Sequence, residues 1–151
     1  MISEIYKKIV VATDGSKEAE KAIKCAVELS RLAGAKLYAI YVIDRASFLS
    51  TPLVTMPIDV AWGKLEEQFH NEAAETIKKI VDAGAAVGVE VEAKIVEGHA
   101  AEEIIKFSEE LPADLTVMGS LGKSGLSRFL LGSVADKVTR NAKLPVMVVR
   151  S

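Results

Sequence analysis

Between Gly119 and Ser133 the sequence reads Gly-Ser-Leu-Gly-Lys-Ser-Gly-Leu-Ser-Arg-Phe-Leu-Leu-Gly-Ser, with four glycines and four serines in one stretch. Residues of these types suit the binding of an anionic oxygen. Glycine permits positive φ, and its missing side chain lets backbone N–H groups come close to an oxyanion. Serine hydroxyls add donors. Ser133 stands where a helix is predicted to start, so the unpaired amides of Val134 and Ala135 and the positive end of the helix dipole would face a bound group. Phosphate fits such a place. Lys123 and Arg128 are able to neutralise its charge, or to sit in solvent as ordinary loop and helix-end residues. Taken on glycine content alone, a flexible loop leading into a capped helix fits equally well.

Two familiar phosphate motifs are excluded. Gly122-Lys123-Ser124 imitates the end of a P-loop, but that motif needs a glycine at position 117, where Val117 stands inside a strand. The first strand turn contains no G-x-G-x-x-G. Catalytic side chains are scarce. His70 falls in a long helix and His99 at a strand-to-helix turn, positions that suit structural or solvent-facing histidines. His99 is the better candidate for catalysis because it follows the third strand. Cys25, the single cysteine, excludes an intramolecular disulfide and reads as a small apolar helix residue.

The elements that must position these residues alternate. Ile9 to Ala12 is a compact apolar run followed by Thr13-Asp14-Gly15-Ser16, a strand ending in a turn from which Ser16 caps a helix. That helix carries Ala19, Ala22, Ile23, Ala26, Val27 and Ala33 at helical spacing and stops at Gly34. Leu37 to Ile43 forms a second strand. From Asp44 to Asp59 the pattern breaks around Pro52 and Pro57, leaving an apolar loop that covers a ligand, meets a second subunit, or packs on its own domain. A long helix follows, with Trp62, Leu65, Phe69, Ile77 and Ile80 on one stripe. Val89, Val91, Ala93 and Ile95 alternate with charged residues, as in an edge strand with one wet face. A helix from Ala100 to Glu110, a strand from Leu115 to Met118, a helix from about Ser133 to Ala142 and a strand from Val146 to Val149 complete the chain. Such alternation implies one α/β domain spanning residues 1–151, with a doubly wound parallel sheet and helices on both faces.

Composition narrows the partners. Half of the 151 residues are hydrophobic and only 5% aromatic, so Val, Ile, Leu and Ala must build the core. A net charge of -2 offers no general field for polyanions, which argues against bulk nucleic acid. The sequence contains no membrane-spanning apolar stretch and no recognisable signal peptide, so a cytoplasmic location is expected.

The spacing Gly119-x-x-Gly122-x9-Gly132-Ser133 closely resembles the nucleotide-binding signature of the universal stress protein family. The opening Val10-Val11-Ala12-Thr13-Asp14-Gly15-Ser16, the group Val42-Ile43-Asp44 and the ending Leu144-Pro145-Val146-Met147-Val148-Val149 are also similar to that family. The resemblance implies a five-stranded sheet of order 3-2-1-4-5, with ATP, or AMP or ADP, bound over the carboxyl ends of strands 1 and 4, together with Mg²⁺. Gly119, Gly122, Gly132, Ser133 and Val134 would contact ribose and phosphates, while Ala12, Thr13, Asp14, Val42 and Met118 would form the adenine and ribose end. Asp14 is expected to recognise the nucleotide directly or through a divalent ion, or to serve as a turn residue, or both. Val42 and Met118 equally suit ordinary core.

The implied order puts the last strand on an edge, and relatives resembling this chain pair there, so a homodimer through Val146 to Val149 is expected. The function implied is an adenine-nucleotide-responsive regulatory module acting on a further partner that the sequence does not identify. A slow ATPase or phosphotransferase, and a nucleotide-independent dimerisation scaffold, are the alternatives.

Overall fold

The computed structural model describes residues 2–44, 58–121 and 131–151. Most of the apolar loop expected between Asp44 and Asp59, together with Gly122, Lys123 and Arg128, lies outside the described residues. Among the described residues five strands, β1 (Lys8–Thr13), β2 (Lys36–Ile43), β3 (Val91–Glu97), β4 (Leu115–Gly119) and β5 (Val146–Val149), alternate with four α-helices: α1 (Glu20–Ala33), α2 (Ile58–Ala85), α3 (Ala100–Glu110) and α4 (Ser133–Asn141). The strands form one sheet in the order β3-β2-β1-β4-β5, as expected. All four pairings are parallel.

Burial on both faces explains why β1 and β2 read as unbroken apolar runs. Side chains alternate across the sheet. Ile9 and Val11 join Leu37, Ala39, Leu115 and Val117 on one face, beneath Ala22, Ala26 and Val27 of α1 and Ile80 of α2. Val10 and Ala12 join Tyr38, Ile40, Val42 and Met118 on the other, beneath Ala101 and Ile104 of α3 and Ala135 and Val138 of α4. Each large aliphatic chain buried this way, such as Ile9 or Leu37, contributes roughly 1.5–3 kcal/mol.

Local chemistry sets the helix ends. Ser16 does cap, but its Oγ accepts from the Ala19 amide at 3.3 Å and so closes a short 3₁₀ turn, Lys17–Ala19, that precedes α1. Gly34 ends α1 with φ of 68°, a left-handed cap. The stripe expected on α2 is only partly right, because Trp62 is 37% exposed. Ala61 and Ala73 are buried with Ile80, and Leu65, Phe69 and Ile77 are half-buried. The inward line therefore starts at Ala61, and Trp62 lies about 100° further round the helix. Strand β3 occupies one edge with Glu92 and Lys94 exposed, as its alternation required.

One buried polar atom is left over. The Ser30 hydroxyl, on a residue only 1% exposed in the α1 interface, has no hydrogen-bond partner among the described residues. Burying it unpaired opposes folding, so Ser30→Ala is expected to stabilise the chain by about 1 kcal/mol. Urea midpoints of the two proteins, compared at equal slope, would check this; a destabilised variant would show that the hydroxyl is satisfied.

Candidate functional site

Strand order reverses between β1 and β4, because β1 continues to β2 while β4 continues outward to β5. In open parallel sheets such a reversal leaves a crevice beyond the carboxyl ends of the strands. A cleft of about 210 Å³ occupies that place. Its walls come from the ends of β1, β2 and β4 and from the first residues of α3 and α4, with Phe69 reaching it from α2.

The β1 wall is a turn held by its own side chains. Thr13 Oγ1 accepts from the Gly15 amide at 3.1 Å, and Asp14 Oδ1 accepts from the Ser16 amide at 2.9 Å. Asp14 thus holds the turn and lines the cleft at once. Gly15 takes φ of 77°, and a Cβ there would lie 3.0 Å from the Tyr41 hydroxyl, so the position requires glycine on both grounds. The hydroxyl itself donates to the Asp14 carbonyl at 2.8 Å and ties β2 to the turn. Burial, reinforced by the carboxylates of Asp14 and Glu72, pushes the Tyr41 phenol up to about 12.

Backbone hydrogen bonds join the β4 wall to α4. Ser120 N–H donates to Val149 O at 2.9 Å, and Gly132 N–H donates to Ser120 O at 2.7 Å. The first i to i−4 bond of α4 runs from Asp136 N–H to Gly132 O at 2.9 Å. The amides of Ser133, Val134 and Ala135 precede it and have no partner within the helix, and all three residues line the cleft. Arg140, in the last turn, sits at the negative pole and pairs with Asp136 at 2.9 Å.

The glycines act differently from one of the two expectations. Positive φ occurs among the described glycines at Gly15, Gly34, Gly88 and Gly98, and not at Gly119 or Gly132. Gly132 has φ of −64° and ψ of 159°, an extended conformation open to any residue. What matters at Gly119 is space: a Cβ would lie 3.3 Å from Leu121 O and 3.4 Å from Glu18 O.

Every described residue expected at the nucleotide site lines this one cleft: Ala12, Thr13, Asp14, Val42, Met118, Gly119, Gly132, Ser133 and Val134. Gly122 lies outside the described residues. Sequence reasoning missed Tyr41, Asp44, Ser120 and Leu121, which also line it. Ser120 and Leu121 lie inside the glycine signature, and Tyr41 and Asp44 flank Val42 and Ile43, so neighbourhood was the available signal. Neither histidine lines the cleft. His99 does follow β3 but is exposed, and His70 Nε2 lies 2.8 Å from Glu97 Oε1.

The arrangement joins an apolar surface, including Val42, Ile104 and Met118, to a polar end where a helix N-terminus and the Ser120 and Ser133 residues meet. Such a cleft suits a ligand with one flat apolar part and one anionic part. Asp14 and Asp44 add hard oxygen donors of the kind that Mg²⁺ takes.

Tyr41 makes the wall testable. The folded chain keeps its phenolic proton between pH 10 and about 12, where the unfolded chain has lost it, so stability falls as pH rises through that window. Tyr41→Phe is expected to lose about 1 kcal/mol at neutral pH with the hydrogen bond, and to lose this alkaline dependence. Urea unfolding at neutral pH and at about pH 11 would read both effects; identical pH profiles for the two proteins would contradict the assignment.

Residues 5–150 match the universal stress protein family. Universal stress protein MJ0531 of Methanocaldococcus jannaschii is 42% identical over 97% of this chain and 83% of its own length. Among solved structures, MJ0577 of the same organism superposes with a TM-score of 0.82 at 33% identity, covering 97% of both chains. A universal stress protein in complex with cAMP has a TM-score of 0.67 at 26% identity, covering 97% of this chain and 98% of its own. One from Archaeoglobus fulgidus in complex with dAMP has a TM-score of 0.66 at 27% identity, covering 95% and 98%. With the fold, the strand order and the sequence all in agreement, the chain belongs to the universal stress protein family.

Proposed function

We propose that the chain binds an adenine nucleotide in this cleft, ATP in the first place and AMP or ADP as alternatives, and acts as a regulatory module. The carrying observation is convergence: residues from the β1 turn, the end of β2, the end of β4 and the start of α4 line a single cleft that ends at unpaired helix amides. The phosphates sit against Gly119, Gly132, Ser133 and Val134, and the base lies among Ala12, Val42 and Met118. Mg²⁺ is held chiefly by the phosphates, with Asp14 as the protein's carboxylate donor. The relatives solved with cAMP and dAMP support the adenine class. A hydrolytic function loses the base that His99 would have supplied, since that residue does not line the cleft.

The module works as a homodimer through β5. Among the described residues this strand pairs on one side only, with β4, and Met147 is 38% exposed. Thr116 N–H donates to Pro145 O and Ser120 N–H to Val149 O, so the odd-numbered backbone groups face β4 and those of Val146 and Val148 face outward. An outward edge of this kind pairs readily with another copy.

Two experiments test these points. Calorimetric titration with Mg·ATP should show binding to the wild-type chain and none to Gly132→Val. The extended backbone at position 132 accepts valine, so the variant should fold while its side chain blocks the phosphate approach. Wild-type affinity in the variant would refute the placement. Light scattering should find a dimer that Val148→Pro converts to a folded monomer by removing an outward N–H; a dimeric variant would place the interface elsewhere.

A further inference from the structure

Beside the cleft, two elements bring together donors that the nucleotide site does not use. Glu66 and His70 stand at i and i+4 on α2, so both side chains leave the same helix face. Glu97, the last residue of β3, reaches them from the sheet. His70 Nε2 lies 2.8 Å from Glu97 Oε1, and one donor atom from each of the three residues lies within 4.8 Å of the other two. Glu66 and His70 are exposed and Glu97 is half-buried, so an ion can reach them from solvent. Two carboxylates this close repel each other, which a cation between them would relieve.

We propose that Glu66, His70 and Glu97 form a binding site for one divalent transition-metal ion of the zinc class. The imidazole is the discriminating donor: it suits Zn²⁺ and its late first-row neighbours, whereas Mg²⁺ and Ca²⁺ take oxygen. Tetrahedral coordination at Zn–N and Zn–O lengths of about 2.0–2.1 Å sets donors about 3.3 Å apart. The His70–Glu97 pair, at 2.8 Å, therefore has to open by a few tenths of an ångström to admit the ion while Glu66 closes in, and solvent exposure leaves the two residues on the helix free to adjust. Water completes the coordination.

The site's position gives the ion a structural role. Glu97 is the register partner of Ile43, and Gly98 N–H donates to Ile43 O at 3.1 Å. Ile43 lines the cleft, as does Phe69, the residue before His70. A bound ion would staple α2 to the end of β3 and stiffen that wall. The metal site does not depend on the nucleotide assignment, and its test omits nucleotide.

Zn²⁺ is titrated against the full chain in excess Mg²⁺, using a chromophoric chelator in competition and thermal melting as a second readout. One ion per chain and a raised melting temperature are expected. His70→Gln, Glu66→Gln and Glu97→Gln should each weaken Zn²⁺ at least tenfold, while their metal-free melts match the wild type. His99→Gln and Cys25→Ser alter the other imidazole and the only thiol, and should bind as the wild type does. Undiminished affinity in His70→Gln, loss in His99→Gln or Cys25→Ser, or no binding by the wild-type chain would each overturn the proposal.

Discussion

The chain leaves the sheet after β4 and must return to start a helix over one face, and among the described residues one backbone bond joins departure to return. Gly132 N–H donates to Ser120 O at 2.7 Å, while Ser120 N–H continues the ladder to Val149 O. This bond fixes the first turn of α4 beyond the ends of β1 and β4. Together with the packing of Ala135 and Val138 against the sheet, it sets the position of the three amides that have no partner within the helix. Gly119 keeps the approach open, since a side chain there would press on Leu121 O and Glu18 O. The same atoms therefore serve fold and site.

The opposite wall is built on the same economy. Asp14 supplies a side-chain oxygen to its own turn and a carbonyl to Tyr41, so β2 and the β1 turn move as one piece. Both strands are buried on two faces, which makes their ends a rigid platform. A cleft made from rigid strand ends and a pinned helix start is already shaped before a ligand arrives, which limits the entropy lost on binding.

Much of this was legible in the sequence because each buried strand is a short apolar run with turn residues after it. The runs at Ile9 to Ala12, Leu37 to Ile43 and Val146 to Val149 became strands with bounds within a residue or two. Strand order is different in kind. No local pattern says that β1 lies between β2 and β4; it came from the family resemblance and is seen in the pairings. Trp62 misled because apolarity was weighed above size, and the inward line of α2 runs through the small Ala61 and Ala73. The Tyr41 hydrogen bond joins residues 27 positions apart through a carbonyl, which no spacing rule detects. The pairing of His70 with Glu97 was hidden for the same reason. Gly119 and Gly132 do line the cleft, but not for the expected cause: space, not a left-handed backbone, is what Gly119 provides.

Family membership, the cleft and the helix terminus converge on one claim, that backbone amides at the start of α4 bind phosphate oxygens. Amide NMR of the ¹⁵N-labelled chain, titrated in parallel with Mg·ATP and with adenosine, tests it most directly. Large shifts at Ser133, Val134 and Ala135 with Mg·ATP, and small ones with adenosine, are predicted. Equal responses to the two ligands, or amides at those positions that stay unmoved while ATP binds, would contradict the claim.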